Sequence, residues 1–465
     1  MATPSRLSLV VLSCPLLRSA VRTPTTRFGC STNTTTVMSI PSLSFLRHPV
    51  RAYHDQHTSS DKDSDSDPNA SVTTTTIPSR LYKADEAPSL AELAALCNQP
   101  ITQRDYPLST TISSNIPLYD LSRFSPSDNS SVSHLQDEWA HNLLSGPGVF
   151  VVQNLYPDPS VIAAANTAFD LILAVESSSP TNVKGDHFAA SSANARIWNA
   201  FGKHALAAPE SFATYYSNPW LPAIAAAWLG PASRLTAQLN IVRPGGAPQT
   251  PHRDYHLGFQ SATCAAAFPK PLHAASALLT LQGAVAHSAM PLASGPTRFL
   301  PGSQRFAQGY MAARRPEFAE FFERNWVSLP LGVGDGVFFS PALMHAAGRN
   351  ETEDLQRSAN LLQISAAFGK PMESVDALPI VKVVWPYVMD MAKAGTRESE
   401  VQVEALLSHL GEGYPFPTNL DRRPPGPGGM APESEVEVLR RGVREGWGTA
   451  EVVAQLEGMR EAGRA

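Results

Sequence analysis

The stretch Pro244-Gly-Gly-Ala-Pro-Gln-Thr-Pro-His-Arg-Asp254 places His252 and Asp254 two residues apart, just after a loop rich in glycine and proline. On an extended strand, residues i and i+2 point to the same face, so one imidazole and one carboxylate would converge on one point. These are two of the three ligands of the facial triad that binds non-haem Fe(II). The third ligand should be a histidine on a distant strand, and His345 is the candidate.

A single His-X-Asp pair is weak evidence, because the chain has 13 histidines and such a pair is expected about once by chance. The order of the surrounding features strengthens it. His345 follows a Gly-Asp-Gly turn and an apolar run, and Arg357 comes twelve residues later, immediately before another apolar run. A 2-oxo acid that chelates iron leaves a free carboxylate, which a guanidinium fork is well shaped to bind. The sequence therefore predicts a metal site, a chelating cosubstrate and its anchor.

Composition limits the other classes of function. The 465 residues are 43% hydrophobic and 17% charged, as in a globular protein with a sizeable core. A net charge of -5, without a block of Lys and Arg, gives no reason to expect nucleic acid as a partner. No run approaches the ~20 apolar residues of a membrane span. The four cysteines lack Cys-X-X-Cys spacing, so neither a disulfide framework nor a thiolate zinc site is predicted.

The N-terminal region has the composition of a targeting sequence. Residues 1–54 are rich in Arg, Ser and Thr and contain no acidic residue before Asp55, which is typical of an organellar transit peptide. We therefore expect a cleaved presequence and a mitochondrial location, and otherwise a cytoplasmic one. The alternatives are a secretory signal centred on Leu7 to Leu17, although no Ala-X-Ala type of site follows it, and a disordered tail without a targeting role. Residues 55–88 lack apolar periodicity and are predicted to form a disordered linker.

From residue 89 the pattern predicts a folded domain that is mainly β with flanking helices. Short apolar runs separated by turn residues, without β-helix-β alternation, favour a jelly roll covered by helices on one side. The predicted strands are 148–153, 235–242, 276–285, 297–300, 326–329, 336–339 and 360–366. The predicted helices are 90–97, 132–144, 159–175, 219–229 and 316–326. Two amphipathic segments, 433–446 and 449–461, are expected to dock on the core or to support a homo-oligomer.

The chain resembles the phytanoyl-CoA dioxygenase family of Fe(II)- and 2-oxoglutarate-dependent oxygenases. The matching pieces span about residues 230–370 and are Arg243-Pro-Gly245, Gln249-Thr-Pro-His-Arg-Asp-Tyr-His256, Gly295-Pro-Thr-Arg-Phe-Leu-Pro-Gly-Ser303, Gly334-Asp-Gly336, His345, Asn350 and Arg357. The resemblance implies a double-stranded β-helix, a cupin-like variant of the jelly roll, in an oxygenase domain of residues 89–395. Residues 396–465 would then be a C-terminal helical extension.

The same resemblance implies roles for individual residues. His252, Asp254 and His345 would be the catalytic iron ligands, and Arg357 would anchor 2-oxoglutarate. Arg243 matches a basic position that contacts 2-oxoglutarate in some relatives, but it is equally well explained as a surface arginine. The chain departs from the family pattern at Gln304 and His287, neither of which corresponds to an iron ligand.

The expected activity is a dioxygenase that uses O2 and 2-oxoglutarate to oxidise, most simply to hydroxylate, a small organic molecule and releases succinate and CO2. Asp254 favours this over halogenation, because related halogenases have a small residue there. His256 is expected to lie at the rim. Two alternatives stay open: a catalytically silent jelly-roll module that binds a ligand or partner, and a His-Asp-His zinc hydrolase, which would not need Arg357. No residue identifies the substrate.

Overall fold

The computed structural model describes residues 77–178 and 194–465. The predicted presequence, and the predicted linker up to residue 76, lie outside the described residues. The segment from residue 77 to residue 88, predicted as linker, is attached to the domain. The backbone N–H of Lys270 donates to the carbonyl of Arg80 at 2.9 Å, and the Tyr82 hydroxyl donates to the carbonyl of Ala307 at 3.3 Å.

One large mixed sheet forms the centre of the domain. Its 8 strands follow the order β1-β2-β3-β8-β6-β10-β5-β4, and within it β2 and β3 are parallel whereas the other pairs are antiparallel. The described residues contain ten strands, of which all but β7 and β9 belong to this sheet. They are β1 Thr111–Ser113, β2 Ile116–Asp120, β3 Val149–Gln153, β4 Asn194–Ile197, β5 Arg234–Val242, β6 Thr280–Ala286, β7 Arg298–Phe299, β8 Gly336–Phe339, β9 His345–Ala346 and β10 Arg357–Ser365.

The side chains of the two longest strands, β5 and β10, alternate between a face that helices cover and a face that lines a cavity. They pair over nine residues, from Val242 opposite Arg357 to Arg234 opposite Ser365. Because strand residues alternate between faces, Leu362 and Ile364 lie on the face that helices cover, within the main hydrophobic core. Leu361 and Gln363 lie on the other face, which lines a cavity.

A second, much smaller wall closes the other side of this cavity. Strands β7 and β9 form a 2-stranded sheet, and single bridges extend it from His345 to His252 and from Phe299 to Val327. Phe299 packs edge to face on Phe339 of the large sheet, with 5.0 Å between ring centroids. The two walls therefore share an apolar core of their own.

The prediction of a mainly β protein was wrong. The described residues contain 14 α-helices, and the large sheet is open at its ends. The helices are α1 Leu90–Cys97, α2 Asn129–Ser145, α3 Pro159–Ser178, α4 Ala200–Ala207, α5 Pro209–Tyr216, α6 Trp220–Leu229, α7 Ala262–Ala266, α8 Lys270–Leu278, α9 Gly309–Ala312, α10 Pro316–Asn325, α11 Ala377–Lys393, α12 Arg397–Leu410, α13 Glu435–Glu445 and α14 Thr449–Gly463.

Helix α11 shows why the sequence underestimated the helical content. It contains Pro386 and several β-branched residues, which disfavour a helix by local propensity. Its apolar face, with Ile380, Val384 and Trp385, is nevertheless buried in the main core, and burial outweighs propensity. Likewise, the run predicted as a strand from Ser276 is helical up to Leu278, and β6 begins only at Thr280.

The two C-terminal helices pack on the same core. Val438 and Leu439 of α13 and Val452 and Leu456 of α14 are buried in it, and the Trp385 indole N–H donates to the carbonyl of Trp447 at 2.8 Å. These apolar faces are thus covered within one chain, and the expected homo-oligomer stays a prediction.

Among the described residues, helix α3 alone has the length and hydropathy of a membrane span. One side of it, with Ile162, Ala165 and Phe169, is buried in the main core.

Candidate metal centre

His252, Asp254 and His345 converge at one end of the small wall. His252 and His345 pair through two backbone hydrogen bonds of 3.0 Å each, which bring residues far apart in the sequence side by side. Their ring centroids are 4.5 Å apart. The nearest nitrogen–oxygen distances to Asp254 are 3.8 Å from His252 Nε2 and 3.7 Å from His345 Nε2. The three side chains that the sequence singled out therefore lie together in the structure.

Local hydrogen bonds orient both imidazoles. His252 Nδ1 lies 2.8 Å from the carbonyl oxygen of Thr250, and His345 Nδ1 lies 2.8 Å from that of Leu343. A carbonyl only accepts, so the proton of each neutral ring is on Nδ1 and the lone pair is on Nε2. Burial and the neighbouring His345 lower the pKa of His252, which favours this neutral form. Both rings thus present a lone pair to the same point.

Asp254 is held as a carboxylate between the two walls. Burial acts to raise the pKa of Asp254, but the two imidazoles and a hydrogen bond from Gln282 together hold that pKa well below its usual value. Gln282 belongs to β6 of the large sheet, and its Nε2 donates to Asp254 Oδ2 at 2.6 Å. The site therefore offers one carboxylate and two imidazole nitrogens.

This donor set fits a divalent metal ion. The candidate ligand atoms of the three residues all lie within 4.8 Å of one another. Metal–ligand distances of about 2.1 Å require only small inward rotations of these side chains around an ion. Two imidazoles and one carboxylate on one side of an ion leave its other positions open, which is the arrangement that non-haem Fe(II) uses.

Arg357 lies in the same cavity at the first position of β10. It is 5% exposed, and its Nη1 donates to the carbonyls of Ser294 at 3.1 Å and Gly348 at 3.4 Å. No carboxylate among the described residues forms an ion pair with it, and burial lowers the pKa of Arg357 to about 10. A buried guanidinium without a counter-charge is costly, so this position favours an anionic ligand.

The two carbonyls that hold Arg357 come from loops that touch through glycines. Gly348 donates to the carbonyl of Gly295 at 3.1 Å. A Cβ added at Gly348 would lie 2.8 Å from the Cα of Gly295, so only glycine permits this approach. Gly295 also has a φ of 68°, which glycine adopts without strain.

The cavity between the walls has a volume of about 750 Å³, in the range of small-molecule sites. It contains the three candidate ligands and Arg357. Its apolar lining comes from both walls and includes Val151, Met290, Phe299, Leu331, Val337 and Phe339.

The structure does not bring Arg243 to this cavity. Arg243 follows β5 in a loop, where its side chain is exposed, and it is not among the lining residues. His256 also lies outside the lining and packs against Tyr255 in a tilted contact, with 4.3 Å between ring centroids.

Each departure from the family pattern has a structural explanation. Gln304 donates to the carbonyl of Gly146 at 2.9 Å. His287 bonds to the Tyr215 hydroxyl at 3.0 Å on the helix-covered side of the sheet.

Sequence reasoning missed the glutamines of the site. Gln238, Gln282 and Gln363 all line the cavity, and each is a polar residue whose two neighbours in its strand are not polar. That interruption was the available signal. Strand alternation alone could not show that it faced the cavity, because either face of a strand satisfies the same pattern.

Residues 145–359 match the family model described as phytanoyl-CoA dioxygenase (PhyH). No curated protein matches the sequence significantly.

Several solved structures are similar to the chain. The non-heme α-ketoglutarate dependent epimerase SnoN from nogalamycin biosynthesis is 19% identical, with 52% of this chain and 82% of that chain covered and a TM-score of 0.37. The carbocyclase SnoK from the same biosynthesis is 18% identical, with coverages of 52% and 87% and a TM-score of 0.38. EctD from S. alaskensis, with 2-oxoglutarate and 5-hydroxyectoine, is 17% identical, with coverages of 52% and 77% and a TM-score of 0.37. Similarity at this level carries no information on the substrate of this chain.

Proposed function

We propose that this chain hydroxylates a small organic substrate as an Fe(II)- and 2-oxoglutarate-dependent oxidoreductase, the class of enzyme indicated by the match of residues 145–359 to the phytanoyl-CoA dioxygenase family model. One observation carries the proposal. The three candidate metal ligands and the buried Arg357 line a single cavity of small-molecule size. A zinc hydrolase would have no use for a buried guanidinium beside its metal.

In this proposal His252, Asp254 and His345 are the catalytic ligands of Fe(II). Fe(II) with 2-oxoglutarate supplies the oxidation of a substrate C–H bond by O2, with release of succinate and CO2. The two imidazoles offer their Nε2 lone pairs because both Nδ1 atoms are engaged by carbonyls. Asp254 contributes negative charge that partly neutralises the ion, and Gln282 fixes the orientation of its carboxylate.

Arg357 has the role of binding the distal carboxylate of 2-oxoglutarate. Its position is set by two backbone carbonyls rather than by an acidic side chain, so its charge stays available to a ligand. A charge-assisted pair in a buried site is both strong and directional. The apolar side chains around it, such as Val337 and Leu331, limit the access of water to the reacting groups.

The proposal is tested with the full chain and two measurements. Anaerobic addition of Fe(II) and 2-oxoglutarate should produce a weak metal-to-ligand absorption band, and aerobic incubation should release succinate. Both signals should be lost in Arg357→Ala and kept in the matched variant Arg243→Ala. A silent binding module would give no succinate under any condition. A zinc hydrolase would give neither the absorption band nor succinate, even with Arg357 in place. Profiling candidate substrates by stimulated succinate release would then identify the compound that is oxidised.

We also propose that residues 1–54 direct the protein to mitochondria, on the ground of their Arg-rich and acid-free composition. A fluorescent reporter carrying residues 1–54 should enter mitochondria. The same reporter with the arginines of that segment changed to glutamine should stay in the cytoplasm. Equal distribution of the two reporters would contradict the proposal.

A further inference from the structure

Two buried glutamines line the cavity next to the candidate metal centre. Gln282 is 3% exposed and Gln363 is 6% exposed, and both line the cavity. In each side chain the Oε1 atom is buried and accepts no hydrogen bond from any residue in the described part of the chain. Buried polar atoms are rarely left unpaired, so two such oxygens in one cavity need an explanation.

The orientation of Gln282 is fixed by chemistry. Its amide hydrogens must point to Asp254, because a carboxylate accepts hydrogen bonds and cannot donate them. The Oε1 atom of Gln282 therefore points away from Asp254 as an acceptor, and exchanging the amide oxygen and nitrogen is not an option.

The two glutamines occupy directly paired positions. Gln282 of β6 lies opposite Gln363 of β10 in the register of the sheet, which places their Cβ atoms about 5 Å apart. The two side chains are thus close enough for one small molecule to contact both.

These acceptors are unsuited to 2-oxoglutarate itself. Both ends of that keto acid are anionic, and an amide oxygen repels a carboxylate. Arg357, which suits an anion, lies six residues from Gln363 along β10, roughly 20 Å at the rise of a strand. Gln282 and Gln363 therefore belong to a different part of the cavity from the anion-binding end.

We propose that Gln282 and Gln363 form a substrate subsite that binds hydroxyl or amino groups on adjacent carbon atoms, next to the carbon that is oxidised. This inference rests on the proposed function, in which the reaction takes place at the triad. A plain hydrocarbon chain would leave both oxygens unpaired on entering the cavity, which is unfavourable. Met372 and Trp198 line the same cavity and offer apolar contact to the carbon skeleton.

The test measures binding of small probes by ligand-observed NMR to the full chain, without metal and with Zn(II) and 2-oxoglutarate. The probes are 1,2-hexanediol, hexane-1,2-diamine and 1,2-dimethoxyhexane. The dimethoxy compound keeps the skeleton of the diol but has no donor hydrogens. The diol or the diamine should bind at least about fivefold more tightly than the dimethoxy compound. Which of the two binds better distinguishes hydroxyl from amino groups.

Variants assign this preference to the subsite. Gln363→Leu, which keeps the approximate shape but removes the acceptor, should abolish the preference. Gln363→Glu keeps an acceptor and should retain it. Gln136→Leu, the same change in α2 and away from the cavity, should behave as the unchanged protein and controls for a general loss of stability.

Three results would overturn the proposal. These are equal binding of the diol, the diamine and the dimethoxy compound, an unchanged preference in Gln363→Leu, and no measurable binding of either donor-bearing probe at its solubility limit. Because binding is also measured without metal, the outcome does not depend on turnover. A chain that binds the diol but never releases succinate would refute the proposed function and leave the subsite standing.

Discussion

Gln282 donates a 2.6 Å hydrogen bond to Asp254, and this contact joins the large sheet to the small wall at the metal centre. The carboxylate would otherwise be free to rotate about its side-chain bonds. Its orientation is therefore set by a residue on a strand of the large sheet, remote in sequence from the three candidate ligands.

Loss of this contact should weaken metal binding. In Gln282→Leu the Asp254 carboxylate loses its buried donor, and we expect the affinity for Fe(II) to fall roughly 10- to 100-fold, as for other groups that orient metal ligands. Anaerobic titration with Fe(II) measures this. Thr280→Val, a polar-to-apolar change on the same strand, should leave the affinity unaltered. Equal affinities in both variants would show that Gln282 does not position the carboxylate.

Removal of a candidate ligand should have a larger effect. His345→Ala and Asp254→Ala each remove one of three donors, so stoichiometric Fe(II) binding and succinate release should both be lost. His256→Ala is the matched control, since His256 is outside the cavity lining, and it should retain both properties. If His345→Ala still turned over 2-oxoglutarate, the assignment of His345 as a ligand would be wrong.

Substitution of Arg357 and of Arg243 should have different effects on the affinity for 2-oxoglutarate. Arg357→Ala should weaken its binding on the order of 100-fold, because a charge-assisted bidentate pair contributes about 3 kcal/mol. Arg243→Ala should change it less than about twofold, since the exposed Arg243 side chain is away from the cavity. Calorimetric titration under anaerobic conditions gives both constants. A large effect of Arg243→Ala would indicate a second anchor.

The contact between Gly295 and Gly348 should be sensitive to one added methyl group. Gly348→Ala forces the Cβ into the backbone of Gly295, and we expect a loss of about 1–3 kcal/mol in the free energy of unfolding. Affinity for 2-oxoglutarate should fall as well, because Gly348 and Ser294 supply the carbonyls that hold Arg357. Gly448→Ala, where a Cβ would meet nothing within 4 Å, is the control. Denaturant unfolding of both variants measures the free energy of unfolding, and titration with 2-oxoglutarate measures the affinity.

Stability should fall in mild acid. Burial lowers the pKa of His204 to about 4 and the pKa values of His287 and His409 to about 3. Between these values and about 6.5, the unfolded chain binds protons that the folded chain does not, so folding becomes less favourable as pH falls. The expected loss from pH 6.5 to pH 5 is roughly 2 kcal/mol per buried imidazole.

Urea unfolding of the metal-free chain at several pH values measures this slope. His204→Phe should reduce it, whereas the same substitution at the exposed His134 should not. A free energy of unfolding that is constant from pH 6.5 to pH 5 would be inconsistent with three buried neutral histidines.

Several features of the site were determined by the sequence itself. The spacing of His252 and Asp254 placed both side chains on one side of the chain, and the order of His345 and Arg357 after them indicated a candidate third ligand and a candidate anion anchor. The first relationship depends on strand geometry over a few residues, and the second on the chemistry of these side chains and their order along the chain. They could therefore be read without knowing how the strands are arranged.

The tertiary structure decided what depends on packing between distant segments. Strand alternation shows which residues share a face but not which face looks inward, and here helices cover the face of β5 and β10 that carries Leu362 and Ile364. As a result, Gln363 lies on the face that lines the cavity, directly opposite Gln282 of β6. Burial of apolar faces likewise made α11 a helix against its local propensity. Both outcomes follow from contacts between segments remote in sequence, which local patterns do not contain.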